Sequence, residues 1–292
     1  MPIVSGVANI EEERVSVMVI SHNLAAINQS WQLNKNLKKT EDSSRKLSTG
    51  YRINQSADDA AGLTISEEMR HQIRGLDRAS TNVQDGISMI QTADAALEET
   101  QQILKRMVEL TTQAANDINS ETDRNAIQNE INQLTDEIDR IAYDTNFNNQ
   151  YMLAAGTPKA NPGYFNIQTG SESGQSIRFE FINASKESLG IDRIDVSDYD
   201  SAGDAIEKVQ NAVVQAGMWR DKFGAIQEQL EHATKAVDIT GENTQRSESK
   251  IRDTEMNEEL LRFTNNKILV NASMSLLAQY NQNPQMVLTL LK

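Results

Sequence analysis

Residues 69–115 read MRHQIRGLDRASTNVQDGISMIQTADAALEETQQILKRMVELTTQAA. Steps of four and three residues pick out Met69, Ile73, Leu76, Ser80, Val83, Ile87, Ile90, Asp94, Leu97, Gln101, Leu104, Val108, Thr111 and Ala115. Apolar side chains hold all but four of these positions, the rhythm does not slip, and no proline falls inside the stretch. A seam that repeats every seven residues over this length predicts one long helix of the coiled-coil type. At roughly 1.5 Å per residue it would be about 70 Å long, more than a compact domain needs. The expected architecture is mainly α: an elongated antiparallel helical bundle or coiled-coil rod.

The rest of the 292-residue chain fits that expectation. Aromatic residues make up only 5% of it, so Leu, Ile, Val and Ala must fill the core, as they do in helical bundles. The formal charge of -14 argues against nucleic acid, whose phosphates call for Lys and Arg. No run of about eighteen apolar residues is present to span a membrane. Cysteine is absent, which excludes disulfides, thiolate metal sites and cysteine nucleophiles. Met1 to Val17 carry Glu11, Glu12 and Glu13 and lack the basic and apolar regions of a secretory signal.

Along the chain, residues 1–17 stand apart as an extension. A helical pattern starts at Met18 with Ile20, Leu24, Ile27 and Trp31, then shifts to Leu33, Leu37, Thr40, Ser44, Leu47 and Tyr51. Residues 18–55 are expected as a terminal helix and connector. The segment Gly50 to Gly62 reads as a break, with Ser56 or Asp58 the expected N-cap of the next helix. Residues 56–240 form the expected rod, with helices at 57–116, 121–146 and 201–238. Ser120 with Asp123, in place of the usual Glu, resembles a capping box ahead of Ile127, Ile131, Leu134, Ile138 and Ile141.

Between these helices, in residues 147–200, the period changes to two. Phe165 and Ile167, the turn Gly170–Gly174, and Ile177, Phe179 and Phe181 predict a β-hairpin, with a further short strand at Ile191, Ile194 and Val196. Polar residues from Asp238 to Ser249 suggest a second connector within residues 241–292. The last helix carries Met256, Leu260, Phe263, Lys267, Val270, Met274 and Leu277, is interrupted at Asn283-Pro284, and gives way to an apolar tail that includes Leu288 and Leu291.

Both ends are thus amphipathic helical segments, expected to pair with each other. One such pair hides a single stripe of each helix and leaves apolar surface uncovered, which marks an association site. Head-to-tail contacts that do not close generate helical filaments. Ile20, Leu24, Ile27, Trp31, Leu33, Leu37, Leu260, Phe263, Val270, Met274, Leu277, Leu288 and Leu291 are the expected self-assembly residues.

Several ordered stretches identify a family. Leu47–Asn54 (LSTGYRIN), Ala57–Leu63 (ADDAAGL), Asn82–Ser88 (NVQDGIS), Gly224–Gln227 (GAIQ) and Ala278–Leu288 (AQYNQNPQMVL) resemble bacterial flagellin. The resemblance runs from Met18 to Lys292 and implies a subunit whose paired termini form the filament core and whose long helices form a rod. It implies a short form without large outer domains, exported by the flagellar type III apparatus without a cleaved signal, and located in the extracellular filament. Its implied partners are further copies of itself and the export chaperone, cap and junction proteins. The family's usual start corresponds to Met18. Gln229 stands where an arginine is common.

The resemblance also implies contact with a host toll-like receptor through Leu104, Arg106, Leu110, Gln113 and Glu130, a surface that packs between subunits in the filament. Val108 and Thr111 depart from the residues usual there. A hook–filament junction protein has similar ends and is the nearest alternative; a secreted adhesin using the hairpin is another. His22, His71 and His232 are widely separated, and no nucleophile elbow, phosphate loop or metal spacing is present. Neither enzymatic activity nor a cofactor is expected.

Overall fold

The computed structural model describes residues 23–155 and 163–290. The extension 1–17, Ile20, His22, Leu291, the loop around Pro158 and Pro162, and the side chain of Leu288 lie outside the described residues. The chain divides into two compact units, one formed by residues up to Thr64 together with those from Lys250 onward, the other by Ile65–Ser249.

The Ile65–Ser249 unit contains most of the long helix α2 (Ala60–Ala114), together with α3 (Glu121–Asp144) and most of α5 (Tyr199–Arg252). On α2, the seven-residue row Leu76, Val83, Ile90, Leu97, Leu104 and Thr111 is buried as the seam predicts. Its companion row is not the expected one. Ala79, Gly86, Ala93, Thr100, Met107 and Ala114 are also buried, whereas Ile73, Ile87, Asp94, Gln101 and Val108 are half-buried. The true seam is rotated by one row because its second half is made almost entirely of small side chains. Hydropathy passes over such residues, but a neighbouring element can approach them closely. On α5, Ala202, Val209, Ala216, Phe223, Leu230 and Val237 are buried beside Ala205, Ala212 and Trp219. Ile206, Val213, Arg220 and Gln227 flank that face.

The half-buried rows of the two helices carry the polar contacts between them. Arg220 donates to Asp94 through Nε at 2.9 Å and Nη2 at 3.2 Å, and to the Gln101 side-chain oxygen at 3.2 Å. The Ser80 hydroxyl donates to Asp238 at 3.0 Å. Thr111, in the buried row, donates to the Met107 carbonyl of its own helix. Each polar interruption of the seam therefore has a partner, as buried or half-buried polar groups require.

The connection to α3 is closed by a reciprocal capping box. The Ser120 hydroxyl accepts from the Asp123 N–H, and the Asp123 carboxylate accepts from the Ser120 N–H. Below α3 the chain makes two hairpins. The first, β1 (Asn146–Phe147) and β2 (Gln150–Tyr151), turns on Asn148 and Asn149, both at positive φ, where asparagine is tolerated and hairpin turns need it. The second is the predicted one: β3 (Tyr164–Gln168) pairs antiparallel with β4 (Ser176–Glu180), with Phe165 opposite Phe179 and Ile167 opposite Ile177. Phe165 stacks on Phe179 and meets Phe181 edge-on, with ring centroids 5.8 and 4.7 Å apart.

The strand expected at Ile191–Val196 is absent. After a single helical turn, α4 (Lys186–Leu189), the chain runs irregularly while burying Ile191, Ile194 and Val196. The side-chain amide of Gln128 on α3 takes the place of a strand edge. It donates to the Ile194 carbonyl at 2.8 Å and accepts the Val196 N–H at 2.9 Å. Alternating apolar residues met the requirement for burial without forming a sheet.

Two expected interruptions are also corrected. α5 does not stop at 238 for a connector: it continues to Arg252. In the polar stretch the hydroxyls are accommodated within the helix, Thr240 donating to the Ala236 carbonyl, Thr244 to that of Thr240 and Ser247 to that of Asn243, and an Arg246–Glu242 pair one turn apart supports it. The final helix, α6 (Met256–Leu290), likewise passes through Pro284.

Candidate functional site

The unit formed by the two ends of the chain is built around α1 (Leu24–Thr49) and α6, which run antiparallel. α1 ends at Gly50, whose φ of 77° lies in the left-handed region that glycine adopts most readily. Beyond it the two connectors are tied together. Tyr51 bridges Asp253, the Arg52 N–H donates to the Arg252 carbonyl at 2.7 Å, and the Thr254 N–H donates to Gly50 at 2.9 Å. Ile53 is fully buried there.

The adjacent carboxylates Asp58 and Asp59 divide two tasks. Asp58 Oδ2 accepts the N–H groups of Asn54 and Gln55, and its Oδ1 meets Arg45 at 3.2 Å. Asp59 Oδ1 accepts the Gly62 N–H at 2.9 Å, so Asp59, rather than the expected Ser56 or Asp58, caps α2. The Asn54 N–H in particular, with help from Gln55, Arg45 and Lys46, holds the Asp58 carboxyl below the usual carboxylate range.

Along α1 and α6 the inner faces mix apolar side chains with small and polar ones. On α1 the half-buried or buried row is Ala26, Gln29, Leu33, Asn36, Thr40, Ser43 and Leu47. On α6 it is Glu259, Phe263, Asn266, Val270, Ser273 and Leu277. Asn36 donates to the Ser273 hydroxyl and Gln29 to the Ser273 carbonyl, both near the long end of the hydrogen-bond range at 3.4 and 3.5 Å.

Large apolar residues lie on the outside of the pair. Leu24, Ile27 and Trp31 are 67%, 56% and 70% exposed and follow one another at steps of three and four on the face of α1 opposite Gln29 and Asn36. On α6, Met256, Leu260, Leu261, Ile268, Leu269, Met274 and Leu276 are exposed and spread around most of its circumference. A helix that is apolar on nearly every side belongs inside a larger body. α1 covers only one side of it.

The expected assembly residues therefore fall into two groups. Leu24, Ile27, Trp31, Leu37, Leu260 and Met274 are exposed, while Leu33, Phe263, Val270 and Leu277 lie on the inner rows.

The expected receptor residues are also split. Leu104 and Leu110 are 0% and 2% exposed, within the core of the Ile65–Ser249 unit, so they cannot offer side chains to a partner while that unit is folded. Arg106, Gln113 and Glu130 remain accessible. Arg106 donates to Glu109 at 3.0 Å and to Glu130 at 3.0 and 3.2 Å, and these carboxylates hold its guanidinium above the ordinary value.

His71 is exposed, and His232 is exposed with Glu228 3.8 Å away. Among the described residues no cluster of His, Cys, Asp or Glu could hold a metal ion, and no helix is long and apolar enough to cross a membrane.

Comparison with known proteins places this arrangement. A family model described as the bacterial flagellin N-terminal helical region matches residues 20–157, and one described as the C-terminal helical region matches residues 206–291. The flagellin of Halalkalibacterium halodurans is 43% identical over 277 residues, covering 94% of this chain and all of that protein. The crystal structure of Bacillus cereus flagellin aligns with a TM-score of 0.50 at 34% identity, over 54% of this chain and 88% of that one. A putative flagellar hook-associated protein from Vibrio parahaemolyticus aligns with a TM-score of 0.57 at 10% identity, over 67% and 100%, and shares the fold alone.

Proposed function

The chain belongs to the bacterial flagellin family, and from that premise we propose that its α1–α6 pair is the surface through which copies of the chain polymerise. The protein is a structural subunit of the flagellar filament, which lies outside the cell. The observation that carries the proposal is the apolar surface the terminal pair leaves uncovered: its inner rows mix Leu33, Phe263, Val270 and Leu277 with polar and small side chains, while Leu24, Ile27, Trp31, Leu261 and Ile268 face outward. Fully burying side chains of this size is worth roughly 1.5–3 kcal/mol each, so a helical array that covers them has a sufficient driving force.

Removing residues 256–292 from the purified protein tests this directly. Filaments are expected in electron micrographs of the intact chain and not of the truncated one. Undiminished polymerisation of the truncated chain would place assembly elsewhere.

The same reading includes export through the flagellar type III apparatus without a cleaved signal, and encounters with an export chaperone and with cap and junction proteins. Contact of the free subunit with a host toll-like receptor is a second reading, favoured by the accessible Arg106–Glu130 pair with Gln113 nearby on α2. It calls for weaker receptor binding by the monomer carrying Arg106→Ala; unchanged binding removes this surface from consideration.

A further inference from the structure

Pro284 lies inside α6 and has no N–H. In an unbroken helix the N–H at that position would donate to the carbonyl four residues earlier, that of Tyr280. That carbonyl is instead reached by the Asn23 side-chain amide, which donates to it at 2.8 Å. The other end of the same amide is also engaged: Asn23 Oδ1 accepts the Ala26 N–H at 3.0 Å and so caps α1. One side chain therefore satisfies an orphan donor at the start of α1 and the orphan acceptor created by the proline of α6.

The remainder of the α1–α6 seam explains the importance of this contact. The polar contacts along the inner rows, Asn36 and Gln29 on Ser273, are longer at 3.4 and 3.5 Å. At the connector end the backbone bonds between Gly50–Arg52 and Arg252–Thr254 hold the pair in register; further along, Phe263, Val270 and Leu277 recur at seven-residue spacing and supply no directional tie of their own. Apolar contact is non-directional and distinguishes registers poorly. The Asn23–Tyr280 bond is tied to one position, because within α6 Tyr280 is the residue whose carbonyl loses its in-helix donor to the proline.

We infer that Asn23 and Pro284 form a matched register lock: the proline exposes one carbonyl of α6, and the asparagine reads it, so that the start of α1 is held in the register that the connectors set at its other end and the pair presents one set of apolar side chains for assembly. Asn23 is thus a positioning residue for polymerisation. The inference rests on the assembly reading above but goes beyond it, because neither outward apolar faces nor helix pairing requires this contact.

The test uses the full chain and the substitutions Asn23→Ala, Asn23→Asp and Pro284→Ala, alone and combined, with Asn36→Ala as a control. Asn23→Asp keeps the oxygen that caps α1 but cannot donate to a carbonyl. Pro284→Ala restores an N–H for Tyr280. The readout is the critical concentration, measured as the protein left soluble after seeded polymerisation and sedimentation.

With Pro284 present, both Asn23 substitutions are expected to raise it about fivefold, the scale of one lost hydrogen bond. With Pro284→Ala that penalty should disappear, whereas the Asn36→Ala penalty should be the same in either background. Wild-type behaviour of Asn23→Asp, or a penalty that persists with Pro284→Ala, overturns the lock. Amide hydrogen exchange of residues 24–49 in the same proteins reads the tie without polymer. Faster exchange confined to the Asn23 variants that retain Pro284 supports the lock, and uniform exchange overturns it. A wild-type chain that never polymerises would instead overturn the assembly reading.

Discussion

Arg220 on α5 holds Asp94 on α2 with two nearly parallel hydrogen bonds, at 2.9 and 3.2 Å, and reaches Gln101 one heptad further along. Asp94 chiefly, with Glu98 and Asp221 nearby, raises the guanidinium above its ordinary value. Arg220→Met leaves Asp94 and Gln101 half-buried without that partner, and should destabilise the Ile65–Ser249 unit by about 1–2 kcal/mol. Arg220→Lys should recover only part of the loss, because an ammonium cannot make the two-pronged contact. Thermal unfolding of the three proteins checks the order wild type, Lys, Met.

Gly86 and Ile167 form a second matched pair. A Cβ placed on Gly86 would stand 2.2 Å from Ile167 Cδ1, with Leu230 Cδ1 at 3.6 Å. Gly86→Ala gains helix propensity, about 1 kcal/mol, but overpacks a buried site at a cost of roughly 1–3 kcal/mol. The single substitution should be neutral to destabilising. Removing the clashing methyl with Ile167→Val should turn Gly86→Ala into a net gain. A double-mutant cycle in chemical unfolding should show coupling of about 1 kcal/mol; additive effects would mean that the hairpin can move aside freely.

Asp58 gives the end-of-chain unit an acid dependence. Its folded pKa lies below the reference of 3.8, chiefly because the Asn54 N–H donates to it. A depressed carboxylate contributes stability above its unfolded pKa and loses that contribution as pH falls through the lower folded value. The difference in unfolding temperature between wild type and Asp58→Asn should be constant above about pH 5 and shrink below about pH 4. A difference that is flat down to pH 2 would show that the connector does not depend on the charge.

Trp31 and Leu261 are each about two-thirds exposed or more, Trp31 on the face of α1 opposite its inner row. Trp31→Glu or Leu261→Glu places a charge where the proposed neighbour would bury an apolar group. Each should raise the critical concentration for polymerisation more than tenfold while leaving unfolding of the Ile65–Ser249 unit unchanged, since neither residue belongs to it. Sedimentation and circular dichroism of the same preparations separate the two effects.

Much of the fold could be read from residue spacing. The 4-3 rhythm placed α2 and α3 nearly to their ends, the Ser120–Asp123 box placed the start of α3, and strict alternation gave the β3–β4 hairpin with the observed faces. The second row of the α2 seam was missed because Ala79, Gly86 and Ala93 look indifferent on any hydropathy scale. The Asn148-Asn149 turn is a two-residue loop of left-handed formers, but the two-residue strands it joins carry no periodicity to mark it as a hairpin. The irregular path at Ile191–Val196 could not be read: it depends on Gln128, more than sixty residues away in the chain.

At the site the division is similar. The sequence determined that both ends are helical, that they carry more apolar surface than one pairing can hide, and that the chain has the ordered motifs of a filament subunit. These properties belong to local spacing and composition. Tertiary structure alone decided which side chains face inward, placing Leu104 and Leu110 in a core and leaving Trp31 and Leu261 outside, because burial depends on which helix lies opposite. It also decided that α6 continues through Pro284, where the amide of Asn23 takes the carbonyl the proline leaves unpaired. A proline inside a helix costs both a ring clash and a missing N–H, and whether the second cost is offset depends on a residue at the far end of the chain.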